Sequence, residues 1–464
     1  MRLTPKATPR FAEKRELILD GAARLFNRRG IKAGTLAEVA QSVGLATNSL
    51  TYYYRKKEDL VCACLARSIA ALEPVIAAAA LHTGLAERVS SLFGGFAVLM
   101  ADVAERRCAE LIFFSDMRAL PQPQAAPVFA AYVEMFRQVR RLLRLGPAEL
   151  GAECGPALGG ECGPALGGEC RPALGAEGQP ASNTDVRRAL NARAHLVLSQ
   201  LLWLRAWLVR YEPSDYPRVA AALSDILLHG LAGPGQVWEL AQLALPALPA
   251  AADPNGMDGL RDAYLRTATR LINDHGVGGA SVERIAATLA LTKGSFYHHH
   301  DTKHDLIDDC FERSFALIRS LQLQALQRPG NGWQRLLAAT VPLVQAQVQA
   351  QAQAQAQAQD AQGEGASPPG PLLRLTAWTE LPGAQRWQKF STMNRLGERY
   401  AAMIASGMID GSVRLVDPAV AAQLVCGMIN ALAEIEHWVP GAGEQPLAAL
   451  FARPLLLGLL APPP

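Results

Sequence analysis

The stretch Thr35–Leu60, TLAEVAQSVGLATNSLTYYYRKKEDL, decides how this chain is read, because a second stretch lies beneath it without a gap. Ser281–Leu306, SVERIAATLALTKGSFYHHHDTKHDL, is offset by 246 residues, and Leu25/Leu271, Gly30/Gly276, Ala40/Ala286, Leu45/Leu291, Ser49/Ser295, Lys57/Lys303 and Leu60/Leu306 coincide. An internal repeat takes precedence over any single element when a fold is assigned. In the first copy Thr35-Leu36-Ala37-Glu38 is a capping box, the Thr hydroxyl accepting from the amide of Glu38 while the carboxylate reaches back. Leu36, Val39, Ala40 and Val43 follow at helical spacing. Gly44, lacking a Cβ, permits the left-handed turn that stops the helix. A second short helix is expected from about Ala46 to Tyr54. Two short helices joined by a tight turn form a helix-turn-helix, whose second helix is sized for the major groove of DNA.

That second helix carries Thr47, Asn48, Ser49, Thr51, Tyr52 and Tyr53, short donors and phenolic hydroxyls suited to base edges and phosphate oxygens. The second copy offers Lys293, Gly294, Ser295, Tyr297, His298 and His299 at the same place. One such helix alone also fits an ordinary solvated surface; two in matching register argue against that.

The pattern resembles the tetracycline-repressor (TetR) family of bacterial transcription regulators, whose helix-turn-helix reads T-x-x-x-I-A-x-x-x-G-V-S-x-G-x-L-Y-x-H-F-x-x-K-E-x-L. The segments ILDGAARLFNRRG, ahead of the first copy, and YLRTATRLINDHG, ahead of its repeat, are similar to the family's first helix. The resemblance implies an all-α chain of two tandem TetR-like subunits, each pairing a DNA-binding unit with a larger helical domain for ligand binding and dimerisation. It further implies that Lys57 and Lys303 touch phosphates, and that Asn48, Tyr52, Lys293 and Tyr297 approach bases or backbone in the groove. Thr35 and Ser281 at the helix starts, with Thr47, Tyr53, Gly294, His298 and His299, complete the expected DNA-facing set. The chain also departs from the pattern. Ala46 replaces the Ser that would cap the recognition helix, and Thr51 stands where Tyr is usual. His300 takes a Phe position and His304 a Glu position. A His at a core-facing place must stay neutral or find a partner.

Composition agrees with packed helices: half of the 464 residues are hydrophobic and only 6% aromatic. No uninterrupted run of about 18 apolar residues marks a membrane span, and MRLTPKATPRFAEKRE lacks the apolar segment of a secretory signal. Of eight cysteines, Cys154, Cys162 and Cys170 fall in one repetitive stretch and the others are scattered, which fits a reduced, cytoplasmic compartment. The net charge of +3 hides an asymmetry. Residues 1–60 hold 12 Lys and Arg against 6 Asp and Glu, whereas residues 253–306 hold 6 against 7. Because phosphate contacts supply much of DNA affinity, the first unit is expected to be the stronger anchor. Its basic arm, from Arg2 to Arg15, reads equally well as a solubilising tail.

The repeat organises the remainder. Residues 1–62 and 258–308 are the expected DNA-binding units, 63–244 and 309–460 the ligand-binding and dimerisation domains, and 245–257 a Pro/Ala-rich linker. ELIFFSDMRALP is echoed by PLLRLTAWTELP, with Pro121 and Pro382 now 261 residues apart. The drift matches an alternation of Gln with Ala or Val from Gln345 to Gln359, part of an insert at about 345–368. It reads either as an expansion inside a helix or as a polar loop. Residues 147–181 hold ECGPALGG twice and then ECRPALGA, whose Pro and Gly point to a surface loop and not to a metal site. Each half closes with two long amphipathic helices, Pro217 aligning with Pro418 and Leu223 with Leu424. These resemble the family's dimerisation helices. They favour an intrachain pseudo-dimer, with a homodimer of tandem chains as the other arrangement. Phe93, Phe96, Trp203, Trp207, Trp378 and Trp387 are candidates for lining an effector pocket, although such residues at helical spacing also serve as plain core.

The expected function is a DNA-binding transcription regulator with operator DNA and a small-molecule effector as partners, no membrane, no cofactor and no metal. Repression released by the effector follows the resemblance. A metal-responsive regulator, through His298-His299-His300 with Asp301 and His304, and a non-specific architectural protein are the alternatives. An enzyme is disfavoured: no zinc-protease, Walker, dinucleotide or nucleophile-elbow motif is found.

Overall fold

The computed structural model describes residues 8–144 apart from 32, 115, 116, 118, 119 and 122; 183–238; 257–291 apart from 290; 302–381 apart from 359–369; 383–439; and 447–461. Among these the chain is helical, its sole extended pairing an isolated antiparallel bridge between Ala232 and Val413. Helix α1 (Pro9–Arg29) starts where the Thr8 hydroxyl accepts from the Phe11 amide at 3.3 Å, with Pro9 in a first position that needs no donor. It ends at Gly30, whose φ of 80° suits glycine. α2 (Leu36–Ser42) and α3 (Thr47–Tyr53) form the first helix-turn-helix. α4 (Lys57–Ala80) is long and apolar enough to cross a membrane by length and composition alone. It lies instead as a core helix, Leu60, Val61, Leu65, Ile69, Leu72 and Ile76 buried against α1, α5 (Leu85–Ala104) and α6 (Ala126–Leu142). The half closes with α7 (Asn183–Leu208) and α8 (Tyr216–His229).

The second half opens in a similar way. α9 (Met257–Gly279) breaks at Gly276 (φ 70°, ψ 168°), the counterpart of Gly30 (φ 80°, ψ 156°). α10 (Val282–Thr288), α11 (Lys303–Leu326), α12 (Gly332–Ala358), α13 (Gly383–Ile409) and α14 (Pro418–Leu432) follow. Two short helices, α15 (Ile435–Trp438) and α16 (Arg453–Leu456), come last. α12 runs unbroken through the Gln-rich alternation as far as Ala358, so that tract extends a helix. The repetitive insert at 147–181, the expected linker up to residue 256, the remainder of the Gln/Ala insert and residues 292–301 lie outside the described residues.

Small polar contacts repeat at the sequence offsets. The Leu45 amide closes its turn on the Ala40 carbonyl at 2.8 Å, and Leu291 does so on Ala286 at 2.9 Å. The Cys64 thiol faces the Leu19 carbonyl at 3.7 Å, and Cys310 faces Leu265 at 3.5 Å. Burial pushes both thiols up to about 12, so they act as small apolar residues with a weak donor.

The halves meet where α14 lies across α7. The approach is close because residue 427 is glycine: a Cβ there would stand 2.5 Å from Gln200 Oε1 and 2.7 Å from Trp203 Cδ1. Gln200 donates to the Leu424 carbonyl at 2.8 Å and His195 to that of Ala431 at 2.8 Å. Each half also lays its tail on the other. The Leu231 amide donates to Leu456 at 2.7 Å, Leu459 to Leu227 at 2.8 Å, and Gly233 to Ser412 at 2.9 Å. The Trp333 indole reaches the Val237 carbonyl, and Arg414 pairs with Asp225 at 2.7 Å. Backbone groups at an apolar seam need such partners.

Candidate nucleic-acid interface and the cavity behind it

The capping box of α2 is formed in full. The Glu38 carboxylate accepts from the Thr35 amide at 3.0 Å, and the Glu38 amide donates to the Thr35 hydroxyl at 3.2 Å. Hydrogen bonds from the Thr35 backbone and hydroxyl, with Arg29 beside it, hold the Glu38 carboxyl below the usual range. Gly44 makes the turn at φ 68°. Fully buried Leu50 then anchors α3, which leaves Thr47, Asn48, Ser49 and Tyr52 facing solvent. Tyr53 stacks on Phe11 of α1 with centroids 4.8 Å apart, and Tyr52 stands edge-on to Tyr53 while remaining 78% exposed. Ala46 gives α3 no side-chain cap. Arg55 and Lys56 are exposed beside half-buried Lys57, which opens α4. This surface presents hydroxyls, an amide and cations on one short helix and its exit, the chemistry that groove and phosphate contacts require.

The second unit is built with different partners. Ser281 caps α10 by accepting from the Arg284 amide at 3.2 Å, but Arg284 occupies the place of Glu38 and no box forms. Where the first unit pairs Arg29 with Glu38, Arg284 donates to His275 Nε2 at 2.8 Å, so that nitrogen accepts and is unprotonated. Lys303, expected on phosphate, donates its ammonium to the Val277 carbonyl. Lys293, Gly294, Tyr297, His298, His299 and His300 lie outside the described residues.

Each unit is tied to its helical domain by an asparagine on its first helix, a residue that sequence reasoning passed over. Asn27 donates to the Leu111 carbonyl at 2.8 Å and accepts from the Phe113 amide at 3.0 Å. Asn273 donates to Leu372 at 2.8 Å and accepts from Arg374 at 3.1 Å. Ser68 and Ser314 accept from Ile112 and Leu373, each at 2.9 Å, and the ion pairs Arg67–Glu16 and Arg313–Asp262 stand beside them. The 246 and 261 offsets bring all these residues into register; that coincidence was the signal available.

The clamped segments wall a cavity of about 110 Å3. Of the aromatic candidates, Phe96, Trp203 and Trp378 line it. The others lie elsewhere. Phe93 is fully buried in the core, Trp207 packs edge-on to Tyr211, and Trp387 is 69% exposed, stacked on Phe390. The polar wall, which the sequence did not disclose, comprises His195, Ser199, Arg205, Arg374, Asn430 and Glu434. Arg205 pairs with Glu110 at 2.7 Å and lies 4.0 Å over the Phe113 ring. Burial brings its guanidinium down to about 10, opposed by the Glu110 carboxylate. Arg205 and Phe113 also face an open groove of about 750 Å3 beneath α1, so one partition separates cavity from DNA-binding unit.

A helix-turn-helix on a helical domain, with its first helices repeated in the second half, defines the class of DNA-binding regulators. The description "Bacterial regulatory proteins, tetR family" matches residues 18–64 and 265–310, one stretch in each half. Each half therefore carries one DNA-binding unit of that family, two tandem copies in one chain, and the family is one of transcriptional regulators. Over 59 residues it is 34% identical to the HTH-type transcriptional repressor KstR2 of Mycolicibacterium smegmatis, a stretch that is 13% of this chain and 29% of that relative. A TetR-family regulator from Bordetella parapertussis 12822 is similar at 16% identity and a TM-score of 0.32, covering 46% of this chain and 93% of its own. AibR, solved with isovaleryl coenzyme A and operator DNA, is similar at 23% identity and a TM-score of 0.31, covering 39% and 95%.

Proposed function

We propose that this chain is a cytoplasmic, sequence-specific transcriptional repressor released from DNA by a small-molecule effector, its two unlike helix-turn-helix units acting as an intrachain pseudo-dimer. The observation that carries the reading is the seating of α14 on α7, where Gly427, Gln200 and His195 join the halves as two subunits would be joined. Residues 1–62 and 258–308 serve as the DNA-binding units and the helical remainder of each half as ligand-binding and dimerisation domains. Thr47, Asn48, Tyr52 and Lys57 face DNA in the first unit, and Lys293, Tyr297 and the neighbouring histidines in the second. Because the units differ in charge and in partners, the preferred operator is asymmetric, with half-sites about one helical turn apart or slightly more. Unit one supplies most of the affinity.

The test is selection of genomic DNA fragments by the purified full chain, followed by footprinting of the recovered site. One chain protecting one asymmetric site is expected. Two chains on a palindrome would replace the pseudo-dimer by a dimer of tandem chains. Equal affinity for the recovered site and random DNA would make the protein architectural.

A further inference from the structure

We propose that the cavity at the seam is the chain's single effector site, built by both halves and shaped for one uncharged, single-ring aromatic molecule. This rests on the regulator reading above and assigns its ligand. The first half contributes Phe96, His195, Ser199 and Trp203, and the second half Trp378 and Ala431. Trp203 and Trp378 approach across the seam with centroids 6.1 Å apart. A site divided in this way exists only while the halves are together.

The second half has no equivalent space among the described residues. Its counterpart is a pocket of about 20 Å3, and three of its walls match cavity residues at the 246 and 261 offsets: Ile318 for Leu72, Leu375 for Phe114 and Met393 for Tyr132. Tyr400 is fully buried and its hydroxyl donates to the Ala339 carbonyl at 3.4 Å. The phenol stands where the 261 offset places the smaller Val139 in the first half, so the second half is the more tightly filled. The duplicated fold thus has one effector site and not two.

Size and charge set the ligand. An apolar cavity of about 150 Å3 accepts benzene, so about 110 Å3 suits a single ring with little substitution. Each cation in the wall already has its carboxylate, Arg205 with Glu110 and Arg374 with Glu434 at 3.3 Å. His195 Nε2 is bonded to the Ala431 carbonyl and therefore carries the proton. A charged guest would meet no unmatched countercharge and would lose its hydration. The aromatic rings of Phe96, Trp203 and Trp378 offer faces and edges for a ring instead. Occupation would press on the segment that Asn27 clamps to α1, and on Leu375–Glu380, which packs against both α1 and α9.

The experiment titrates the full chain with toluene, phenol and benzoate, reading tryptophan fluorescence and calorimetric stoichiometry. Toluene or phenol is expected to bind once per chain, and benzoate at least about tenfold more weakly. Ser199→Tyr, which fills the cavity from the first half, and Ala431→Phe, which fills from the opposite half, should each abolish binding while circular dichroism and selected-DNA affinity are kept. Two molecules per chain, benzoate binding as well as toluene, undiminished binding by a folded Ala431→Phe chain, or no binding of any probe would each overturn the proposal. The same preparation separates the two readings. A chain that binds its selected DNA and no probe refutes only the effector site. A chain that binds toluene and selects no DNA sequence refutes the regulator.

Discussion

Replacing Asn27 and Asn273 by Ala, one at a time, tests whether the DNA-binding units hang on these clamps, and the two substitutions should differ. Asn27→Ala removes one bond to the Leu111 carbonyl and one from the Phe113 amide. The carbonyl keeps Arg205 as a second donor, so the net loss is about 1–2 kcal/mol, near the worth of one or two ordinary hydrogen bonds. Asn273 is 3% exposed, and among the described residues no second side chain donates to the Leu372 carbonyl. Asn273→Ala leaves the Leu372 carbonyl and Arg374 amide to bear the desolvation themselves, about 2–4 kcal/mol. A chain of several domains does not melt in two states, so the assay is native-state hydrogen exchange read separately in α1 and α9. At about 1.4 kcal/mol per tenfold, amides of α9 in Asn273→Ala should exchange about 30- to 1,000-fold faster, and those of α1 in Asn27→Ala about 5- to 30-fold faster. Equal effects would refute the backing role of Arg205. Unchanged exchange in both helices would show that the asparagines do not hold the units.

Lys57→Ala should weaken binding to every DNA sequence alike and lower the salt slope by about one; a change confined to one base position would contradict a phosphate contact. Lys389→Met removes a fully buried ammonium bonded to Asp308 at 2.8 Å and Glu312 at 2.6 Å. Both carboxylates reach solvent, so the cost should be about 2–3 kcal/mol, below the roughly 3–5 of a stranded buried charge, read as faster exchange in α11 and α13. Burial raises the Asp20 carboxyl, but bonds from Arg24 and the Glu110 amide, with the charge of Arg67, outweigh it and hold the group below 3.8. Its contribution is therefore complete above that pH and is lost as pH falls through the lower folded value. Asp20→Asn should flatten the acid-side loss of α1 protection. Residues 1–245 expressed alone should form a homodimer or aggregate, since α7 and α8 lose the cover of α14; a stable monomer at micromolar concentration would count against the pseudo-dimer.

The local grammar was legible because its causes are local. Thr35, Glu38 and Gly44 act within a few residues of themselves, and each is found in its expected role. The duplication was legible as an offset, and it extends to side chains whose meaning the offset did not reveal. Asn27 and Asn273 read as polar helix positions until their partners, more than 80 residues away, are known. The cavity was only half legible. Phe96, Trp203 and Trp378 were singled out for bulk, but bulk does not say which helix face meets a void. Trp387 carries the same signal and lies on the surface. The pairs Arg205–Glu110 and Arg374–Glu434 join distant residues, and nothing near any of the four announces a partner. Gly427 reads as a weak place in an apolar helix; it is where Gln200 and Trp203 of another helix fill the space a Cβ would take.

The exchanged tails bear on dose. Two separate subunits that must meet before gripping DNA occupy a scarce site in proportion to the square of their abundance. Here residues 231–233 rest on Leu456 and Ser412, while Leu459 returns to Leu227, so the encounter occurs within one molecule at an effective concentration fixed by the connection. For the pseudo-dimer proposed above, occupancy then rises with the first power of abundance, and dilution at cell division weakens control gradually. Inheritance changes as well. In a symmetric pair every substitution lands twice, once on each side of the axis. In a tandem chain it lands once, leaving each DNA-binding face free to drift while its twin keeps the original chemistry.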